Sequence, residues 1–225
     1  MKKLFLMSLL GVLSLAGKVH AQIPKGTVYV GGTVKFDGET SRSEDKSDAD
    51  IFNKRGSHFV TPELQLGKFI GEHTMLGIGL KHRFAMSRTN YDPGGYKSVG
   101  TSNTISFLPF IRQYKSLGKN WSVFLHGEIG PQFQWNKSKE TNDAETRTIK
   151  EDFWQYGLSI NPGVVYVFPK SGWAIEGYAS ILSLNANYLP FKDKVGSYFT
   201  LNTGISTGFP SFFTLRVAKY ISAKN

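Results

Sequence analysis

The segment FLPFIRQYKSLGKNWSVFLHGEIG, residues 107–130, decides how the rest of the chain is read. It consists of two extended runs around a tight turn, SLGKN, at 116–120. Arg112, His126 and Glu128 lie inside those runs, and Pro109 interrupts the first. In the second run Trp121, Val123, Leu125 and Ile129 alternate with Ser122, His126 and Glu128, and Phe124 breaks the polar set. Period-2 alternation puts the two sets on opposite faces of a sheet. One face is apolar and the other carries charge.

The same alternation extends outward in both directions. Val28, Val30, Val34 and Phe36 alternate with Tyr29, Thr33 and Lys35; Leu76, Ile78, Leu80 and Phe84 alternate with Gly77, Gly79, Lys81 and Arg83. Comparable runs cover 58–70, 102–115, 153–168, 173–184 and 198–221, which makes eight strands in all. The connections at 71–74, 116–120 and 169–172 are short, whereas those at 37–57, 87–100, 136–152 and 185–197 are long and polar. Short and long connections in strict alternation are the mark of a transmembrane barrel with short periplasmic turns and long extracellular loops. An apolar band of ~25 Å, crossed at ~40° tilt, takes about ten residues per strand, as found here. The expected fold is all-β: an eight-stranded antiparallel up-and-down transmembrane barrel. Phe199, Leu201, Ile205, Phe209, Phe213, Leu215, Val217 and Ile221 keep one parity, so the last segment reads as one long strand bent near Gly208–Pro210.

Residues 1–21 read as a secretory signal: Lys2 and Lys3, the apolar run LFLMSLLGVLSLA, then a small-residue end at Ala21. The barrel domain is expected over 22–225, exported to the bacterial outer membrane. The chain has no cysteine, which excludes disulfides and thiol chemistry. Its 27 Lys and Arg include Lys2, Lys3 and Lys18, so the barrel carries 24 basic residues against 17 acidic ones. The excess gathers at the short-turn rim, at Lys25, Lys68, Lys115, Lys119, Lys170, Lys219 and Lys224, where lysines snorkel toward anionic headgroups. No basic patch with interleaved aromatics offers a nucleic-acid surface.

At eight strands the lumen is just wide enough to be filled by side chains. Parity directs Lys35, Glu63, Lys81, Arg83, Arg112, His126, Glu128, Glu176 and Arg216 into it. Buried charges must be paired or solvated. The expectation is a salt-bridged plug, with Glu63 beside Lys81 and Arg83, and Glu176 beside Arg216. By the same logic an arginine is tolerated better at His126 than at lipid-facing Leu125. Pro62, Pro109, Pro131 and Pro162 fall on the outward face, and since proline removes a ladder donor, bulges or bends are expected there.

FVTPELQLGKFI…TMLGIGLKHRF, ISFLPFIRQY, VFLHGEIG, INPGVVYVFPKSGWAIEG and the closing LRVAKYI resemble the small outer-membrane β-barrel family, OmpX/OmpA-like, across essentially the whole of 22–225. The resemblance implies fold and location and says little of activity. Such barrels often end on an aromatic that the assembly machinery reads; here Tyr220 is followed by Ile221 and SAKN.

HExxH, GxSxG and glycine-rich phosphate loops are absent, and the histidines are scattered, so no catalytic, metal or cofactor site is expected. A lipid-modifying enzyme would need a Ser/His pair at the outer leaflet, for which His82 and Ser87 are the candidates. Trp121, Trp135, Trp154, Tyr166 and Trp173 read as interface girdles. The leading expectation is a non-enzymatic monomer that meets outer-membrane lipids, the barrel-assembly machinery and extracellular partners through its loops. A narrow passive pore is the alternative, and a soluble lipocalin-like barrel would reverse the faces.

Overall fold

The computed structural model describes residues 23–44, 52–92, 95–142, 145–179, 183–190, 197–204 and 213–222. The signal expected at 1–21 and the bend expected at Gly208–Pro210 lie outside the described residues. The strands are β1 (Val28–Glu44), β2 (Phe52–Phe69), β3 (Thr74–Asp92), β4 (Tyr96–Gly118), β5 (Trp121–Thr141), β6 (Thr146–Val167), β7 (Trp173–Ala179), β8 (Ser183–Pro190), β9 (Ser197–Gly204) and β10 (Phe213–Ile221). Sequential neighbours pair antiparallel from β1 to β7, β7 pairs with β10, and β10 returns to β1, which closes a ring of eight strands.

β8 and β9 extend this ring rather than add to it. β7 pairs with Gly163–Val167 of β6 and β8 with Tyr156–Ile160 of the same strand, so the two follow one another along one neighbour. β9 pairs with β8 as β10 pairs with β7. The chain is thus an eight-stranded antiparallel up-and-down β-barrel, the architecture of the small outer-membrane barrels that its sequence resembles. Among the described residues no helix is long and apolar enough to cross a membrane, which does not bear on crossing by strands.

The opening segment shows how the faces sort. Along β4, Thr104, Ser106, Leu108, Phe110, Arg112 and Tyr114 are buried and alternate with exposed Ile105, Phe107, Pro109, Ile111 and Gln113. The exposed set continues around the ring as Leu64, Leu66, Leu76, Ile78, Leu80, Leu125, Ile129, Ile175, Leu215 and Val217. An apolar exterior around a charged interior is the inverse of a soluble barrel, and it suits a hydrocarbon surround. Aromatic residues border the band. At the short-turn end Trp121 meets Tyr166 at 4.9 Å and Lys219 sits over Trp173 at 5.0 Å. At the other end Phe133 meets Trp154 at 5.0 Å and Trp135 at 5.8 Å.

Two expectations need revision. The long connections are mostly paired strand: β4 and β5 stay in register to Lys97 and Thr141, and β5 and β6 to Thr141 and Thr146. A two-stranded ribbon in water needs no apolar face, so its polar sequence looks like loop. The prolines, in turn, leave the register intact. Pairing lapses between Val60–Phe84 and Glu63–Lys81, beside Pro62, and between Ser106–Gln132 and Phe110–Glu128, beside Pro109 and Pro131, then resumes without a shift. Pro162 stays paired with Leu125. Among the described residues the one register shift in these ladders, at Ser116/Gly118, belongs to the turn, where Gly118 and Lys119 both adopt positive φ.

Inward glycines make room for inward aromatics. The Phe110 ring occupies the space a Cβ on Gly77 would need, and the Phe124 ring does the same over Gly163. Gly77→Ala is therefore expected to cost about 1–3 kcal/mol, the usual penalty for overpacking. A Cβ there would also meet the Leu66 carbonyl oxygen. The urea midpoint of the refolded variant in lipid vesicles measures the cost, and an unchanged midpoint would mean that both the Phe110 ring and the β2 backbone can give way.

Candidate functional site

The lumen is filled most tightly near the short-turn end. Arg112 on β4 and Glu176 on β7 are both fully buried and meet with 3.0 Å between Nη1 and Oε1. Every N–H of Arg112 is used. Its Nε donates to His126 Nδ1 at 3.2 Å, Nη1 to Tyr114 Oη at 2.9 Å and to Glu176, and Nη2 to Gln65 Oε1 at 2.8 Å and Tyr178 Oη at 2.5 Å. Glu176 also accepts from the hydroxyls of Tyr29 at 2.9 Å, Tyr178 at 3.1 Å and Tyr220 at 2.7 Å. Because Tyr220 gives its proton to Glu176, the 3.1 Å contact between Tyr114 and Tyr220 runs from Tyr114 to Tyr220. A buried charge pair is tolerable only when its remaining donors and acceptors are met, and here both groups are surrounded.

His126 has one consistent tautomer. Its Nδ1 accepts from a guanidinium, which can only donate, so Nε2 carries the hydrogen and gives it to Glu128 Oε2 at 3.1 Å. Glu128 also accepts from Ser159 at 3.0 Å. Arg216 reaches across to Glu63 at 2.6 Å and to Gln65 Oε1, and also donates to Tyr178. Aromatic rings close the remaining gaps. Arg112 lies 4.8 Å from the Tyr29 ring centroid and 4.7 Å from that of Phe124, and Phe69, Tyr114 and Tyr220 pack beneath.

The structure therefore brings Glu63, Arg112, His126, Glu128, Glu176 and Arg216 into one interlocked cluster. One expected pairing forms: Arg216 stands level with Glu176 in the β7–β10 ladder and lies 4.0 Å from its carboxylate. The other does not. Glu63 stands level with Lys81 in the β2–β3 ladder, yet its carboxylate engages Arg216 and Gln65. Lys35, Lys81 and Arg83 have no ion pair among the described residues, and Arg83 stacks on the Phe59 ring at 4.5 Å. His126 is no place for an arginine, because Arg112 already touches it and the ring is almost wholly buried. Parity gave its face correctly but not the cation beside it. Sequence reasoning also passed over Gln65 and the tyrosines at 29, 114, 178 and 220. Their signal was present, since each shares the parity of the charged set.

Above the cluster the lumen opens into a polar cavity of about 410 Å³, which Lys35, Glu63, Lys81, Glu128 and Arg216 reach from below and from the walls. The candidate catalytic pair does not form. His82 is hydrogen-bonded to Asn103 at 3.2 Å and stacks 6.3 Å from Trp135. Ser87 is an odd number of residues further along β3, hence on the opposite face and about 16 Å away. Among the described residues no three His, Asp or Glu side chains gather as a metal site.

No family model matches the sequence, and no curated protein does. Among the solved structures similar to it are the following two. One is the crystal structure of Ail, the attachment invasion locus protein of Yersinia pestis, at 12% identity over 88% of this chain and 99% of that chain, with a TM-score of 0.34. The other is the translocator domain of autotransporter NalP from Neisseria meningitidis, at 12% identity over 99% of this chain and 95% of that chain, with a TM-score of 0.29.

Proposed function

We propose that this chain is a non-conducting, non-enzymatic barrel of the bacterial outer membrane. In this reading it contributes to the envelope as a monomer and meets extracellular partners through its protruding ribbons. One observation supports it above the rest: the Arg112–Glu176 pair and its collar of aromatic rings fill the lumen at one level. Both charges have zero exposure. A solute crossing there would have to separate an ion pair that has no water to replace it, at a cost of several kcal/mol. That weighs against a narrow pore. The apolar exterior and the two aromatic borders support lipid as its surround.

The ribbons support the second part. β4 has 23 residues, while about ten suffice to cross the hydrocarbon band. The excess emerges at the long-connection end as paired, polar strand, stiffer than loop and suited to holding a fixed contact surface.

Two measurements test this reading. The protein is expected in outer-membrane fractions, with different apparent sizes before and after boiling in detergent. Recovery as a soluble periplasmic protein would overturn the location. In planar bilayers the refolded protein is expected to give no discrete conductance steps. Steady, voltage-independent steps would return the pore reading to first place.

A further inference from the structure

We propose that the cavity above the seal binds a small, hydroxyl-rich anion, held between Lys35 and Lys81. At about 410 Å³ the cavity falls within the ~300–1,000 Å³ of small-molecule sites. Its charges are unbalanced. Four cations, Lys35, Lys81, Arg83 and Arg216, line it against two carboxylates, Glu63 and Glu128. Glu63 is engaged by Arg216 and Gln65, while Glu128 is hydrogen-bonded by the neutral His126 and by Ser159 and keeps its charge. Lys35 and Lys81 line the same space and have no ion pair among the described residues.

Their placement suits a single oxyanion. Lys35 stands level with Thr61, and Lys81 with Glu63, so the two lysines flank β2 from either side. Two strand spacings and a two-residue offset put their backbones about 10–12 Å apart. Two extended lysine side chains converge readily over that span.

Apart from Leu108 and Leu158, the rest of the wall is polar and mostly uncharged. Gln132, Gln134, Gln155 and Asn187 face the cavity with carboxamides. Gln155 donates to Gln132 at 3.0 Å. Carboxamides offer donors and acceptors together, the complement of a polyhydroxylated body. With the floor sealed, the cavity is a receptor rather than a passage. The anion is a carboxylate or a phosphate on a sugar-sized body, entering from the ribbon end.

Titration calorimetry of the refolded protein in zwitterionic micelles tests this with glucuronate, glucose 6-phosphate, inorganic phosphate and glucose. Both sugar anions are expected to bind, with glucose at least about tenfold weaker, because a charged hydrogen bond is lost. Lys35→Gln/Lys81→Gln is expected to weaken both anions about tenfold or more and to leave glucose unchanged. Retention of the size shift on boiling shows that the variant is folded; if it is not, each single variant serves. Relative strengths of the two anions identify carboxylate or phosphate. Inorganic phosphate binding as well as glucose 6-phosphate would overturn the hydroxyl-rich body. Absence of heat with either sugar anion at roughly 10 mM, or undiminished binding in the variant, would overturn the site. Fractionation and conductance do not depend on this result, so the proposed function stands or falls separately.

Discussion

Glu176→Leu will lower the unfolding free energy of the barrel by about 3–5 kcal/mol, the usual cost of leaving one member of a buried ion pair alone. Arg112 would remain fully buried with its main counter-charge gone, and the hydroxyls of Tyr29 and Tyr220 would lose their acceptor. Arg112→Met combined with Glu176→Leu is expected to recover much of the loss, since an apolar pair of similar volume removes the uncompensated charge. The measurement is urea unfolding in lipid vesicles, carried as a double-mutant cycle. Equal losses in the single and the double variants would place the stability in the tyrosine packing instead of the charge pair.

Leu125→Arg will cost about 2–4 kcal/mol, the midplane penalty for a cation facing lipid. Leu125 is half exposed on the outer face and lies between the two aromatic borders of β5. The comparison is Gln134→Arg on the inner face of the same strand. Gln134 lines the open cavity and, among the described residues, bonds Ser102, Thr104 and Asn136. The new cation would face a polar cavity rather than lipid, so the loss there is expected to stay under about 1 kcal/mol. Urea midpoints in vesicles compare the two. A larger loss at Gln134 would mean that the barrel faces are reversed.

The faces were legible in the sequence because period 2 is a local property. Arg112 and Ile111 declare opposite sides of β4 without knowledge of any other strand. Contacts across the lumen are not local. Glu63 finds Arg216, 153 positions away, rather than its ladder neighbour Lys81: Thr33 of β1 stands opposite Glu63, and the β1–β10 register, which runs to Gly32–Val217, brings Arg216 level with it on the other side of the same strand. Gln65 was missed since it is uncharged, although its single carbonyl joins both arginines. Tyr29 was placed on the inner face, but the part its hydroxyl and those of Tyr178 and Tyr220 play in serving one carboxylate was missed, because which inward groups meet depends on contacts across the lumen. The polar ribbons read as loops, since pairing in water leaves no apolar stripe to detect.

The seam between β1 and β10 has a kinetic consequence. Val28–Gly32 pairs with Val217–Ile221, so the first strand of the barrel waits for the last. Nearly the whole chain separates the two, and closure entropy rises with that separation. Such distant contacts make folding slow, because ordering precedes its reward. Until the seam forms, the growing sheet has two bare edges, each able to template pairing with another copy. A chain ending after Gly204 is therefore expected to aggregate under conditions in which the complete chain inserts into vesicles. Light scattering during dilution from urea would show it, and equal clarity in both samples would mean that the sheet protects its edges before it closes.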